Sequence, residues 1–308
     1  MGRTPLPEGV QELYNLAFAR HDRAAGKRRE FGECWANYIS VHPWDIDVRN
    51  VDPCTLEILA VMRQPAPVEL ALIFSEWLAA LRAALDNALY ALAAATSGQN
   101  PPPQAERIQY PICSTPEEFK KQARRLSTLP QHVVDALEKS QPYQSPYGPE
   151  SNLTYWIHEL ARKDRHRSLH VGLGRVDRHR IRVAPPPGVT IQFDQTVKPY
   201  NHIEGELVVG RFTAGRPIQP REIKADLRGV AIAPEIRAWA VFRLAGRNQS
   251  LQDRMIHTEI FTRNHLENMA LMGTAVPPDG FKTFDPDALP DTEDKLDESL
   301  PLDEASER

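Results

Sequence analysis

The chain has 308 residues, of which 41% are hydrophobic, and a formal net charge of −4. This length predicts one large or two modest domains. No apolar run approaches the ~18 residues of a membrane-spanning helix, so we expect no membrane partner. The three cysteines are widely spaced and form no CxxC pair. They are therefore typical of reduced thiols in a cytoplasmic protein and exclude a disulfide framework or a zinc ribbon.

Charge is distributed unevenly along the chain. Residues 273–308 contain eleven acidic and three basic side chains, which gives them a net charge of −8. Subtracting this charge from the total of −4 leaves +4 for residues 1–272. The end of the chain is also rich in proline and nearly free of aromatic residues, a composition typical of disorder. The sequence predicts a mildly basic folded body and a disordered acidic tail.

Helices and a hairpin are predicted in the first hundred residues. Apolar residues at helical spacing predict long helices over residues 8–39 and 68–95. Between them, two β-like runs at residues 46–51 and 55–62 predict a hairpin. We expect this hairpin, at about residues 41–64, to be inserted into a helical bundle.

Three further helices are predicted in the middle of the chain. Thr115 followed by Pro116 indicates a helix start, with proline at the first helical position. A second helix is expected from Pro130 to about Lys139, and a third over residues 152–167. The apolar face of the third helix carries Leu153, Trp156, Ile157 and Leu160.

The remaining part of the body is rich in β-forming residues. Between residues 179 and 244, short runs of Val, Ile, Phe and Trp alternate with Gly and Pro turns, which predicts a small antiparallel sheet. Its strands are expected at residues 189–193, 204–212, 224–232 and 236–244. Ser250 with Asp253 three residues later predicts the start of a last helix, which is apolar on two sides and ends near Met272.

These elements together predict an α+β fold. It comprises a bundle of four to five helices with an inserted β-hairpin, and a small antiparallel sheet before the last helix. The expected parts are residues 1–172, 173–249 and 250–272, followed by the tail at 273–308. Four residues from three of these helices are expected to share one core: Leu81, Leu85, Leu160 and Met255.

The most unusual segment is residues 162–182, here called the basic segment. It contains eight Lys or Arg residues, two Asp residues and three His residues. On a helical wheel Asp164 and Arg167 fall near the apolar face, where an unpaired charge is costly, so we expect them to pair. The more exposed side carries Arg162, His166 and His170.

Three interpretations of the basic segment follow from its residues. It can be a structural Asp164–Arg167 pair beneath a solvated basic face. It can be a nucleic-acid surface that neutralises phosphates, with contacts from Arg162, Lys163, Arg175, Arg178 and Arg180. It can also hold zinc through His166 and His170, which stand four residues apart, although no HExxH motif is present and we expect no metal.

Arg82 and Asp86 form a second charged pair of interest. They stand four apart at the edge of the apolar stripe of the helix predicted over residues 68–95. Such a pair is either an ordinary surface ion pair or a pair that lines a cleft beside the helix of Asp164.

Short motifs in several of these segments resemble a group of uncharacterised prokaryotic proteins. That group carries an LRSALDH helix, an FPI strand, an LQPY-like loop and a helix that ends in DKHR. The corresponding residues here are 81–87, 110–112, 140–143 and 157–167, so the resemblance covers about residues 8–170.

The arrangement also resembles the HEPN superfamily of helical bundles, many of whose members are metal-independent ribonucleases with an Arg-x4-6-His motif. The resemblance implies that the arginine, here Arg82, stabilises phosphate charge and that the histidine moves a proton. Asn87 occupies the histidine position, however, and an amide cannot transfer a proton. Arg165 and His170 also have the Arg-x4-His spacing, so the catalytic candidates are Arg165, His166 and His170.

Two functions are therefore expected. The first is an RNA-directed protein of the HEPN type that binds RNA and cleaves it without a metal or cofactor. The second is a non-catalytic interaction module whose charged pairs are structural, with a second copy of the chain as one partner. Walker, GxGxxG, GxSxG and kinase motifs are absent.

Overall fold

The computed structural model describes residues 7–41, 43–166, 171–178, 182–194, 205–226, 231–236 and 250–273. Within these ranges the chain is a mixed α+β protein, as predicted. Residues 237–249 and 274–308 lie outside the description. They contain most of the fourth predicted strand and nearly all of the acidic tail.

Six α-helices lie in the described part of the chain. They are α1 (Val10–Ser40), α2 (Val68–Ser97), α3 (Pro116–Ala123), α4 (Gln131–Lys139), α5 (Leu153–His166) and α6 (Leu251–Met272). Their bounds agree with the predicted helices to within a few residues. At the start of α3, the Thr115 hydroxyl accepts a hydrogen bond of 3.2 Å from the Glu118 amide, and Pro116 occupies the first position. Proline and the capping threonine thus begin this helix as predicted.

Eight β-strands are found in the same described ranges. They are β1 (Trp44–Asn50), β2 (Thr55–Met62), β3 (Val171–Arg178), β4 (Arg182–Ala184), β5 (Ile191–Phe193), β6 (Glu206–Ala214), β7 (Lys224–Asp226) and β8 (Ala231–Ile236). The predicted hairpin is confirmed, because β1 and β2 pair antiparallel with Trp44 opposite Met62. The predicted strand at 224–232 is divided into β7 and β8.

The hairpin forms one sheet with two of the later strands, β6 and β5. The strand order is β1-β2-β6-β5, so β2 lies between its hairpin partner and β6. A hairpin alone leaves one edge of β2 unpaired, and this edge belongs to a strand whose middle residues are all buried. Pairing with β6 provides hydrogen-bond partners for the backbone groups along that edge. β3 pairs with β8 and β4 pairs with β7, each as a two-stranded ribbon.

The core lies where α1, α2, α5 and α6 meet. Leu81, Leu85, Leu160 and Met255 are all fully buried in one cluster, which confirms the predicted shared core. The sheet adds its inward side chains from β2 and β6 to the same cluster. α2 is therefore the central helix, and it contacts α1, α5, α6 and β3.

The last helix carries more polar residues into the core than its sequence pattern predicts. The Ser250 hydroxyl accepts a hydrogen bond of 3.1 Å from the Asp253 amide, which confirms the predicted start. Met255 lies on a buried side, but Ile260, on the second predicted apolar side, is 38% exposed. Glu259 is buried instead. No helix in the described ranges is long and apolar enough to cross a membrane.

Candidate nucleic-acid interface

Helix α5 carries the first part of the basic segment. Asn152 begins this helix, because its side-chain oxygen accepts a hydrogen bond of 2.9 Å from the Thr154 amide. One face is then buried through Leu153, Trp156, Ile157 and Leu160. With this face fixed against the core, the basic residues fall at the C-terminal end of the helix, where cations also complement the helix dipole.

Arg162 lies on the exposed side of α5, as the helical wheel predicts. Its side chain is 54% exposed and forms an ion pair of 2.7 Å with Glu159, one turn earlier. The hydrogen bond from Arg162 lowers the pKa of Glu159 below its usual range. Exposed pairs of this kind contribute little to stability. The guanidinium can therefore leave Glu159 for a phosphate at small cost.

Asp164 faces the body of the protein. The Ser75 hydroxyl on α2 donates a hydrogen bond of 2.6 Å to the Asp164 carboxylate, and both side chains are partly buried. The predicted orientation of Asp164 toward the core is therefore confirmed. Its predicted partner Arg167 lies outside the described residues, so the Asp164–Arg167 pair stays a prediction.

The other predicted residues of α5 are placed by their backbone. Lys163 is partly buried in the last full turn of the helix. Arg165 and His166 are the last two residues of α5, and their side chains lie outside the described part of the structure. His170 and Arg180 lie outside the described ranges.

Strand β3 carries the second part of the basic segment. Arg175 is paired with Ala233 and Arg178 with Ala231 on β8, and Val171 is paired with Ile236 at the other end of the ribbon. Ile236 is fully buried in the core. The ribbon is thus anchored at its Val171 end, and Arg178, seven residues further along, lies on the order of 20 Å from that anchor at ~3.3 Å per residue.

Both parts of the basic segment rest on the same helix. α2 contacts both α5 and β3. Ser75 on α2 holds Asp164 on α5 at the same time. The structure thus brings the end of α5 and strand β3 together on one scaffold, although the residues between them are not described.

Arg82 pairs with Asp86, as their spacing predicts, and also binds the main chain of Tyr110. Its Nη2 atom donates a hydrogen bond of 2.7 Å to the Tyr110 carbonyl and lies 3.2 Å from the Asp86 carboxylate. Asp86 in turn accepts a hydrogen bond of 2.9 Å from the Tyr110 amide. Arg82 and Asp86 therefore bind the main-chain carbonyl and amide of the same residue, Tyr110. The Arg82 side chain is 15% exposed, and these two contacts favour a structural role, while its assignment as a phosphate contact stays a prediction.

Burial controls ionisation around this contact. Desolvation raises the pKa of Asp86, and the neighbouring Arg82 guanidinium opposes that shift. The Tyr110 hydroxyl lies 2.9 Å from His265 Nδ1 on α6 and 3.3 Å from the Ser140 hydroxyl. Desolvation raises the pKa of Tyr110 to about 12 and lowers the pKa of His265 to about 4. At neutral pH His265 is therefore uncharged. The hydrogen bonds of the Tyr110 hydroxyl thus join α6 to the end of α4 through neutral side chains.

A second buried network joins α6 to α1 and α2. Both Glu259 oxygens accept from Arg28 Nε at 3.0 Å, and Oε1 also accepts from Trp77 Nε1 at 2.8 Å. His21 Nε2 lies 2.8 Å from the Glu259 carbonyl. The sequence analysis missed this network, because Arg28 and Glu259 are 231 positions apart. Their partners are all within the protein, which indicates a structural role.

Comparisons with known proteins and a search for metal ligands add no further assignment. No protein-family model, no curated protein and no solved structure matches this chain. Among the side chains that the structure describes, no group of three or more His, Cys, Asp or Glu residues could hold a metal ion. The side chains of His166 and His170 are not among them, so the zinc interpretation stays a hypothesis.

Proposed function

We propose that this chain is an RNA-directed protein of the HEPN type, which binds RNA through the basic segment, residues 162–182. The observation that carries this proposal is the shared scaffold of its two parts. The end of α5 and strand β3 both contact α2, which supports one common surface for the eight cations of this 21-residue segment. A cluster of this density neutralises successive phosphates of a nucleic-acid backbone.

The charges in this region are suited to a polyanion. The Arg162 side of its pair with Glu159 is exposed, which makes the pair exchangeable, and Arg175 and Arg178 belong to a narrow two-stranded ribbon. Ribbons of this kind are among the elements that proteins place against nucleic acids. The resemblance to HEPN proteins favours RNA as the nucleic acid.

Ribonuclease activity is the finer part of the proposal. One of His166 and His170 takes the proton of a 2′-hydroxyl as its oxygen attacks phosphorus, and the other donates a proton to the departing 5′-oxygen. Arg165 stabilises the negative charge that develops on the phosphate oxygens. No metal takes part in this reaction.

The binding proposal is tested with purified protein and a labelled RNA of mixed sequence. The variant Arg175→Gln/Arg178→Gln/Arg180→Gln is compared with the unaltered chain over a range of salt concentrations. Loss of three phosphate contacts predicts weaker binding and a salt dependence reduced by about 2 in log–log slope. Equal binding by both proteins contradicts the proposal.

The cleavage proposal is tested by incubating the same RNA with the protein in EDTA. Cleavage that persists in EDTA and disappears in His166→Ala and in His170→Ala supports metal-independent catalysis. His132, which is exposed on α4, provides the control variant His132→Ala, and this variant is expected to cleave normally. Intact RNA under all these conditions contradicts catalysis and leaves binding to be judged by the titration.

The second candidate function is a non-catalytic interaction module. The observation that favours it is the engagement of Arg82 with Tyr110 and Asp86, together with Asn87 in the histidine position of the motif. Pulldown of a protein partner without any RNA binding supports this alternative. A homodimer belongs to this hypothesis and is tested by light scattering.

We propose a cytoplasmic location for the protein. What supports it is that Cys34, Cys54 and Cys113 are all free, as is usual in a reducing compartment. Fractionation of cells that produce the protein tests the location, and recovery outside the cytoplasm contradicts it.

A further inference from the structure

A second cluster of cations lies on α3 and the 3-10 turn Arg124–Leu126 that continues it. Lys120, Lys121, Arg124 and Arg125 are all exposed. None of the four has an ion-pair or hydrogen-bond partner among the residues that the structure describes. We call these four residues the α3 cluster.

The α3 cluster forms one face of its helix. At ~100° per residue, the four cations fall within an arc of about 140°. The opposite side is the one that α3 buries, through Phe119 at 2% and Leu126 at 1% exposure. The fold therefore directs all four charges away from the core.

Most other cations with described side chains are already engaged. Their carboxylate partners lie within 4.0 Å in the cases of Lys27, Arg28, Arg49, Arg82, Arg162, Arg211, Arg216 and Arg263. Six other cations in the described ranges are also exposed without such a partner, but they are spread over four elements with at most three on any one of them: Arg20, Arg23, Arg29, Lys139, Arg221 and Lys224. A cation at the end of a helix also complements its dipole, and one or two charges suffice for that role. Four unpaired cations on one face are more than the helix dipole requires.

Acids reduce the charge of this segment without neutralising it. Residues 116–126 contain four cations and two carboxylates, a net charge of +2. Glu118 is held at the start of the helix, where the Ser114 amide and hydroxyl donate hydrogen bonds of 2.8 and 2.9 Å. Glu117 is also in the first turn. The acids thus lie at the N-terminal end and the cations at the C-terminal end of the segment.

The start of α3 interacts electrostatically with the helix that leads into the basic segment. Hydrogen bonds from Ser114 chiefly lower the pKa of Glu118, and His158 on α5 contributes a smaller electrostatic effect. His158 lies on α5 one turn before Arg162, so Glu118 at the start of α3 is within electrostatic range of the helix that carries the first part of the basic segment. Along its own axis, at ~1.5 Å per residue, α3 places its four cations within about 10 Å of Glu118.

We propose that the α3 cluster is a second contact for the phosphate backbone of the RNA, so that the strand bound by the basic segment continues across α3. This inference rests on the proposed function, because it assigns the same ligand to a second surface. Charge complementarity supports it, because four exposed, unpaired cations match a ligand with a negative charge at every nucleotide. The acidic tail of the chain is the competing occupant.

The test compares two double variants of the full-length chain that change charge equally. Lys121→Gln/Arg124→Gln removes the middle of the α3 cluster, and Arg20→Gln/Arg23→Gln removes two exposed charges from α1. RNA binding is titrated between 50 and 200 mM salt. Two lost phosphate contacts reduce the log–log slope by about 1.4, so the affinity deficit of the first variant grows about sevenfold as salt falls from 200 to 50 mM. The α1 variant is expected to retain nearly the full slope.

The possible results distinguish a failure of the α3 assignment from a failure of the proposed RNA binding. If the unaltered chain binds RNA and the α3 variant binds it with the same slope, the α3 assignment is wrong and the proposed function stands. If the unaltered chain binds no RNA, both are wrong. If the α3 variant loses affinity for a synthetic peptide of residues 274–308 but keeps the RNA slope, the surface belongs to the tail and the inference is overturned.

Discussion

The hydroxyl of Ser75 on α2 donates a hydrogen bond of 2.6 Å to the carboxylate of Asp164 on α5. This contact joins the central helix of the core to the helix that carries the first part of the basic segment. It is a hydrogen bond to a charged acceptor, so its removal has a measurable effect on stability.

Ser75→Ala and Asp164→Ala are expected to destabilise the protein by different amounts. Loss of a hydrogen bond to a charged group predicts a decrease of ~1.5–3 kcal/mol in the free energy of unfolding for Ser75→Ala. If Arg167 also pairs with Asp164, then Asp164→Ala leaves that guanidinium unpaired and costs ~3–5 kcal/mol. Urea denaturation of both variants and of the double variant measures these values. An Asp164→Ala protein with normal stability and no RNA activity contradicts a structural role.

Local sequence signals predicted most of the helices. Apolar periodicity located α1, α2 and α5, and the pairs Thr115–Pro116 and Ser250–Asp253 located the starts of α3 and α6. These signals act over a few residues, where the helix itself imposes the spacing. The i,i+4 spacing likewise predicted the Arg82–Asp86 pair.

Contacts between distant segments were not predictable in this way. The pairing of β2 with β6 joins Leu56 to Phe212, and no local pattern specifies which of several similar strands completes a sheet. The same limit applies to Tyr110, whose carbonyl accepts a hydrogen bond from Arg82 and whose amide donates one to Asp86. A main-chain acceptor has no signature in the amino-acid sequence. The contacts of Arg82 with Tyr110 were not foreseen for this reason.

Arg82→Gln is expected to weaken folding without weakening RNA binding. The substitution removes the charged partner of Asp86 and a donor to the Tyr110 carbonyl, which predicts a loss of ~1.5–3 kcal/mol in stability. Chemical denaturation and RNA titration of the same preparation separate the two effects. A stable Arg82→Gln protein that binds RNA poorly supports Arg82 as a phosphate contact instead.

His265 is expected to make stability depend on pH. Its pKa in the folded protein is about 4, below the value of 6.5 for an unperturbed histidine. The unfolded chain therefore binds more protons between these values, so stability is complete above about pH 6.5 and is lost as pH falls toward 4. The contribution is ~3 kcal/mol over that range.

The pH effect is measured by urea denaturation at pH 7, 5.5 and 4. His265→Gln is expected to lose stability less steeply with acid than the unaltered chain. His132→Gln alters an exposed histidine on α4 and serves as the control for other titrating groups. Parallel acid profiles for His265→Gln and the unaltered chain rule out the role of His265.

Removal of residues 274–308 is expected to tighten RNA binding. These residues carry a net charge of −8, and a tethered acidic segment reaches local concentrations of ~1 mM beside a basic surface. Gly273 is retained because its amide donates a hydrogen bond of 3.0 Å to the Met269 carbonyl at the end of α6.

The gain in affinity is measured at low and moderate salt, and it shrinks as salt screens the tail. A scrambled tail of identical composition shows how much of the gain arises from net charge alone. Equal RNA affinity of the full-length and shortened chains refutes masking by the tail.

Photochemical crosslinking of bound RNA tests the location of the interface most directly. The full-length protein is irradiated with an RNA that contains 4-thiouridine, digested, and the crosslinked peptides are identified by mass spectrometry. We predict crosslinks within residues 162–182 and none in the exposed α1 region around Arg20 and Arg23. Crosslinks that occur elsewhere but are absent from residues 162–182, or a protein that captures no RNA, contradict the proposal that the basic segment binds RNA.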